Sequence, residues 1–131
     1  MDRSENMRRI RAVNTRPELA VRTALRSIGL RGYRLHRKEL PGKPDIAFVG
    51  RRKAILVHGC FWHGHSCKEG SRSPKSNTGY WSEKIRLNQE RDVRHFQALI
   101  EMGWSVLTIW DCEIADKAAL ADRLKRFVNA P

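Results

Sequence analysis

Asp45-Ile46-Ala47-Phe48-Val49-Gly50-Arg51-Arg52-Lys53-Ala54-Ile55-Leu56-Val57 is the stretch that decides the fold. Two apolar runs, 45–49 and 53–57, flank Gly50-Arg51-Arg52. So short a connection predicts an antiparallel hairpin. Folding it about that turn puts Asp45 across from Leu56 or Val57. In either register the Asp45 carboxylate lies beside the end of the second strand, where His58 emerges. Upstream, Leu40-Pro41-Gly42-Lys43-Pro44 is a turn that cannot be helical.

Downstream, Val57-His58-Gly59-Cys60-Phe61-Trp62-His63-Gly64-His65-Ser66-Cys67 gathers thiols, imidazoles and aromatic rings. Cys60-x4-His65-x-Cys67 offers three metal ligands from one loop, and Cys112, after a later strand, is the remaining cysteine. Three thiolates and one imidazole make a closed tetrahedral zinc shell, the structural type. The competing reading is buried free thiols, since cysteine is often buried; Gly64 and Ser66 favour a loop over core. Asp45 suits a hard cation such as magnesium, which takes a few carboxylate or carbonyl oxygens. His58 and His63 are not needed by zinc and can handle protons near pH 7. Singly, Asp45 reads as a turn residue after proline, and either histidine as a satisfied structural hydrogen bond. Together they are the parts for hydrolysing a phosphodiester.

Working outward, residues 33–37 read as a strand or its approach. Thr15-Arg16-Pro17-Glu18 has the form of a capping box. A helix follows with Val21, Leu25 and Ile28 on one face and Gly29 at its end. Glu18 then has a sufficient role as the cap's return partner. Residues 1–13 read as a short basic helix or a frayed arm. Residues 68–79, rich in Ser, Gly, Pro, Lys and Asn, predict a loop. Residues 81–102 form the longest helix candidate, with Ile85, Val93, Phe96 and Ile100 as its apolar face and Asn88, Asp92 and His95 as a solvated stripe. Residues 104–110 predict a strand, and 117–128 a helix with Asp116 as N-cap. The expected architecture is α/β: one domain over 1–131, a mixed central sheet flanked by helices, with 1–14 as a basic N-terminal arm or helix.

Lys and Arg total 26 against 14 acids, a net charge of +12, spread over both ends and the middle. Phosphate neutralisation makes nucleic acid the leading partner, ahead of solubility alone. No apolar run approaches membrane-spanning length, and the first fourteen residues hold no signal-peptide stretch. The expected location is the cytoplasm, where three cysteines do not form a disulfide framework.

Four further segments carry a resemblance: Ser4-x-Asn6-Met7, Trp81-x-x-Lys84-Ile85-x-x-Asn88-x-x-Arg91-Asp92, Gly103-Trp104 and Trp110-x-Cys112. With Leu40–Asp45 and His58–Cys67, they resemble the very short patch repair (Vsr) endonucleases over roughly residues 4–128. The resemblance implies a fold related to type II restriction endonucleases and a nick beside the thymine of a T:G mismatch. It implies Asp45 as the magnesium-binding carboxylate, with the Val57 main-chain carbonyl where some members carry Thr. It implies His63 as base for the attacking water, His58 near the leaving group, and Glu18 as a further acidic site residue. Cys60, His65, Cys67 and Cys112 would hold structural zinc. Phe61, Trp62 and Trp81 would wedge into the base stack, with Met7 at the opposite groove. The implied partner is double-stranded DNA bearing the mismatch, met by a monomer, with a mismatch-repair protein and a cognate cytosine methyltransferase as possible associates. Gly64 and Ser66 stand where some members have histidines. The second acid and the lysine usual on a nuclease's second strand are absent, so the histidines must supply that chemistry.

Overall fold

The computed structural model describes residues 15–61, 63–67 and 78–131. Met7 and the rest of the 1–14 arm, Trp62, and residues 68–77 of the expected loop lie outside the described residues. Helix α1 (Arg16–Ser27) leads to β1 (Arg34–Leu35), β2 (Ile46–Phe48) and β3 (Lys53–His58). Helix α2 (Thr78–Glu101), β4 (Ser105–Trp110), a 3-10 turn (Asp111–Glu113) and α3 (Lys117–Asn129) complete the order. The sheet runs β1-β2-β3-β4, with antiparallel pairs β1/β2 and β2/β3 and the parallel pair β3/β4. Ile46 faces Ile55 across the hairpin, so continuing the register sets Asp45 opposite Leu56, one of the two expected alternatives. The parallel pair needs a crossover, and α2 supplies it.

Alternation along the strands divides the core in two. Ile46, Phe48, Ile55 and Ile109 meet Val21 and Leu25 of α1 and Leu120, Leu124 and Val128 of α3. On the other face Ala47 and Ala54 meet Leu40, Leu99 and Trp104. The helix ends follow the sequence signals. The Thr15 hydroxyl accepts from the Glu18 N–H, and the Asp116 carboxylate from the Ala119 N–H. Gly29, at φ +76, follows the α1 C-cap. Strand β1 is shorter than 33–37 because His36 turns to φ +49, out of the extended region.

One sequence expectation is overturned. The sheet-facing side of α2 runs Trp81, Ile85, Asn88, Asp92, His95, Leu99, each at least partly buried. Of the expected buried face only Ile85 turns inward; Val93, Phe96 and Ile100 are 56, 44 and 46% exposed. The supposed solvated stripe therefore points inward. Burying a polar stripe is tolerable only if its groups are paired. Asp92 is paired with His63, and His95 packs against the backbone of Gly42.

Candidate active site

The site lies where β3 and β4 end together, with His58 opposite Trp110 in the parallel register. Loops leaving the carboxyl ends of adjacent strands are the usual place for ligands in α/β sheets. Three groups of side chains with metal-ligating atoms converge here among the described residues, each with its ligand atoms within 4.8 Å of one another.

The first group is Glu18, His36 and Asp45. Asp45 Oδ2 accepts from the Val57 N–H at 2.7 Å, which fixes the carboxylate against the end of β3. Pro44 falls opposite Val57 when the hairpin register is continued, and proline has no N–H for the Val57 carbonyl. Burial, opposed by the Val57 bond and reinforced by Glu18, pushes the Asp45 carboxyl up to about 6. Glu18 is 1% exposed, and its Oε1 lies 2.5 Å from His36 Nε2 and 3.6 Å from Arg22. Its N–H serves the helix cap while its carboxylate faces the reaction site, so capping does not exhaust its role.

The second group is His58, His63 and Asp92. The two imidazoles stack at 3.9 Å, with an interplanar angle of 2°. His63 Nδ1 pairs with Asp92 Oδ2 at 2.5 Å, which leaves Nε2 as the nitrogen turned away from that carboxylate. Burial, then the neighbouring His63, lowers His58 to about 4, so it is neutral at pH 7. Its Nδ1 is buried with no hydrogen-bond partner among the described residues. A cavity of about 420 Å³ opens here, lined by His58, His63, Asp92, Trp110 and the outward-leaning Val93 and Phe96.

The third group is Cys60, His65, Cys67 and Cys112. A tight turn gathers the first three: the N–H of His65 bonds to Cys60 O at 3.0 Å and that of Gly64 to Phe61 O at 3.3 Å. Gly64, at φ +61, presses on α2, where an added Cβ would sit 2.8 Å from Ile85 Cγ2. Cys112 Sγ stands 3.6 Å from His65 Nδ1. Tetrahedral zinc with bonds of about 2.3 Å to sulfur separates its ligand atoms by about 3.8 Å, so the donor set fits a metal of that kind. Burial pushes the Cys60 thiol up to about 12, a cost that a bound cation would offset. Phe61 packs edge-on against Trp81 at 5.9 Å, and Trp81 is only 6% exposed.

A family model described as DNA mismatch endonuclease Vsr matches residues 1–69. The chain belongs to the Vsr family. Among curated Vsr-like relatives, the type II nicking enzyme V.XorIIP of Xanthomonas oryzae is 53% identical over 94% of this chain and 89% of its own length. V.NmeAIP of Neisseria meningitidis, also a type II nicking enzyme, is 44% identical over 97% and 89%. The DNA mismatch endonuclease Vsr of Escherichia coli is 40% identical over 92% and 76%. This Vsr-family protein is a DNA endonuclease, and nuclease chemistry of this kind calls for a divalent metal.

Of the site residues expected from the sequence, the structure brings together Glu18, Asp45 and Val57, then His58 and His63, then the four cysteine and histidine ligands. Sequence reasoning missed two residues in this Vsr-type site. Asp92 was read as solvated, although its place in a helix sharing the Trp81–Asp92 motif was a signal. His36 sits in an unremarkable segment, and only the fold brings it to Glu18.

Proposed function

We propose that this protein nicks one strand of duplex DNA next to the thymine of a T:G mismatch, in a magnesium-dependent hydrolysis. The observation that carries the reading is the meeting of Asp45 with the end of β3, beside the stacked His58 and His63. Magnesium would be held by the Asp45 carboxylate and the Val57 main-chain carbonyl, left by Pro44 without a ladder donor. When bound it would neutralise charge on the phosphoryl oxygens. His63, oriented through Nδ1 by Asp92, accepts the proton of the attacking water at Nε2. His58, neutral at pH 7, stands near the leaving oxygen, and Glu18 adds negative charge beside Asp45. Zinc held by Cys60, His65, Cys67 and Cys112 would keep this loop rigid.

Recognition follows from charge and aromatics. The excess of basic residues draws in the DNA backbone. Phe61 and Trp62 enter the base stack with Trp81 packed behind Phe61, and Met7 reaches the opposite groove. Opening a step costs a few kcal/mol, less at a wobble pair, so the wedge itself discriminates. The working unit on this reading is one monomeric domain over 1–131 acting in the cytoplasm, with 1–14, outside the described residues, expected as a basic arm or helix. A mismatch-repair protein and a cognate cytosine methyltransferase are its possible associates. Among the described residues no helix is long and apolar enough to cross a membrane.

The test is a panel of end-labelled duplexes, T:G and matched, in several sequence contexts with magnesium. Nicking confined to the thymine-bearing strand of the T:G duplex supports the reading; equal nicking of matched duplexes rejects it. The names of the nicking-enzyme relatives favour a second reading, a nuclease of the same chemistry with another target, and the same panel separates the two.

A further inference from the structure

His36 follows β1, and its backbone adopts φ +49, a left-handed conformation uncommon for residues other than glycine. Two contacts hold it there. Its main-chain N–H donates to the Asp45 carbonyl at 3.2 Å. Its ring Nε2, as the protonated nitrogen, donates to Glu18 Oε1 at 2.5 Å. One residue thus joins the helix that carries Glu18 to Asp45, the residue that leads into β2. The ligand atoms of the three side chains lie within 4.8 Å of one another, and the His36 side chain is 18% exposed.

A glutamate side chain has three rotatable torsions, so burial alone does not fix the direction of its oxygens. A donor on one carboxylate oxygen does, and it also offsets part of the repulsion between two close carboxylates. Arg22 approaches the same oxygen at 3.6 Å, from the same helix. It moves with Glu18 and does not register α1 against β2.

Resting on the reading of Asp45 as the cation-binding carboxylate, we propose that His36 is a positioning residue for the nicking reaction. Its imidazole holds Glu18 beside Asp45, so that both carboxylates face one divalent cation. His36 itself touches neither the cation nor the DNA. Its loss should therefore lower kcat and weaken magnesium, and leave the KM for DNA unchanged. Partners that orient metal-site ligands typically contribute about ten- to a hundredfold in affinity or activity.

The experiment compares His36→Leu and His36→Gln with the natural protein on a T:G duplex, with magnesium titrated and thermal unfolding recorded. His36→Leu is expected to lose about ten- to a hundredfold in kcat, with a raised half-saturating magnesium concentration. His36→Gln, which keeps a side-chain N–H donor, should recover most of the loss. Glu18→Gln and the double variant Glu18→Gln/His36→Leu should nick at the same reduced rate, because the histidine acts only through Glu18. Should His36→Leu unfold, His36→Asn replaces it in the same cycle; it tolerates the left-handed backbone but is too short to reach Glu18. A leucine or asparagine variant at the natural rate overturns the proposal, and so does a glutamine variant as slow as leucine or a double variant with additive losses. Asp45→Asn runs alongside. If Asp45→Asn still nicks, the site reading itself falls; if it is dead while His36→Leu is active, only the role of His36 falls.

Discussion

Among the described residues, ten buried apolar side chains close the face of the sheet under α1 and α3, but only five close the face under α2. The core of the first face is apolar throughout. The second begins with Ala47, Ala54 and Leu99 and then gives way to His58, Asp92, His63 and Trp110. The same α2 helix spans both regimes, its C-terminal part anchored by Leu99 and its middle turned over to chemistry. The packed core and the stacked histidines thus lie on opposite sides of one sheet, with Glu18 of α1 reaching the site from the first side, and substitutions in Leu124 and His63 should separate stability from turnover.

Asp45→Asn should have the largest effect, reducing nicking of a T:G duplex below detection while salt-sensitive DNA binding persists. The same change should stabilise the metal-free protein. Asp45 titrates near 6 when folded against an ordinary 3.8, so between those values the native state holds a proton the unfolded chain has released. Stability conferred by that proton is lost as pH rises through this window. At pH 7 the ionised carboxylate costs up to about 3 kcal/mol, from 1.36 kcal/mol per pKa unit. Thermal melts of both proteins at pH 4 and pH 7 check this. A stabilising effect that does not grow with pH would break the assignment.

His63→Ala comes next, with a loss of about a hundredfold or more in turnover. Asp92→Asn should lose about ten- to a hundredfold, because it only orients that ring. Single-turnover rates at saturating magnesium measure both, and an Asp92→Asn rate equal to the natural one would return the α2 stripe to a solvated role. The smallest effects on turnover fall on the other face. Leu124→Ala, fully buried on the inner side of α3, should cost about 2–5 kcal/mol of unfolding free energy with kcat unchanged for the folded fraction. Phe96→Ala, 44% exposed, should cost less than about 1 kcal/mol. Denaturant titrations decide the pair, and equal losses would erase the distinction between the faces.

The stable face was legible in the sequence because its physics is periodic. Thr15 and Asp116 mark helix starts, and either register of the 45–57 hairpin sets Asp45 beside the end of β3, the structure selecting Leu56 as its partner. The α2 face was misread for a physical reason: hydrophobic spacing selects Val93, Phe96 and Ile100, and it assumes that polar residues seek water. Asp92 is instead drawn inward by one specific partner contributed by a loop 29 residues earlier. His36 was illegible because its position depends on a left-handed backbone at a residue that does not advertise one. The gathering of Cys60, His65, Cys67 and Cys112 was readable from residue types, since three thiols and an imidazole brought to one loop and one strand end make a complete tetrahedral donor set.

The four residues that could hold a metal straddle the only parallel pair in the described sheet: Cys60, His65 and Cys67 follow β3, and Cys112 follows β4. That has a consequence for the order of assembly. Hairpins close locally, but β3 and β4 meet only after the whole crossover is threaded, and such distant pairings limit folding rates. A cation gripping Cys60 and Cys112, 52 positions apart, would hold the two strand ends together before their ladder is complete. Refolding should then be faster with zinc present than with a chelator, even when both reach the same native fold.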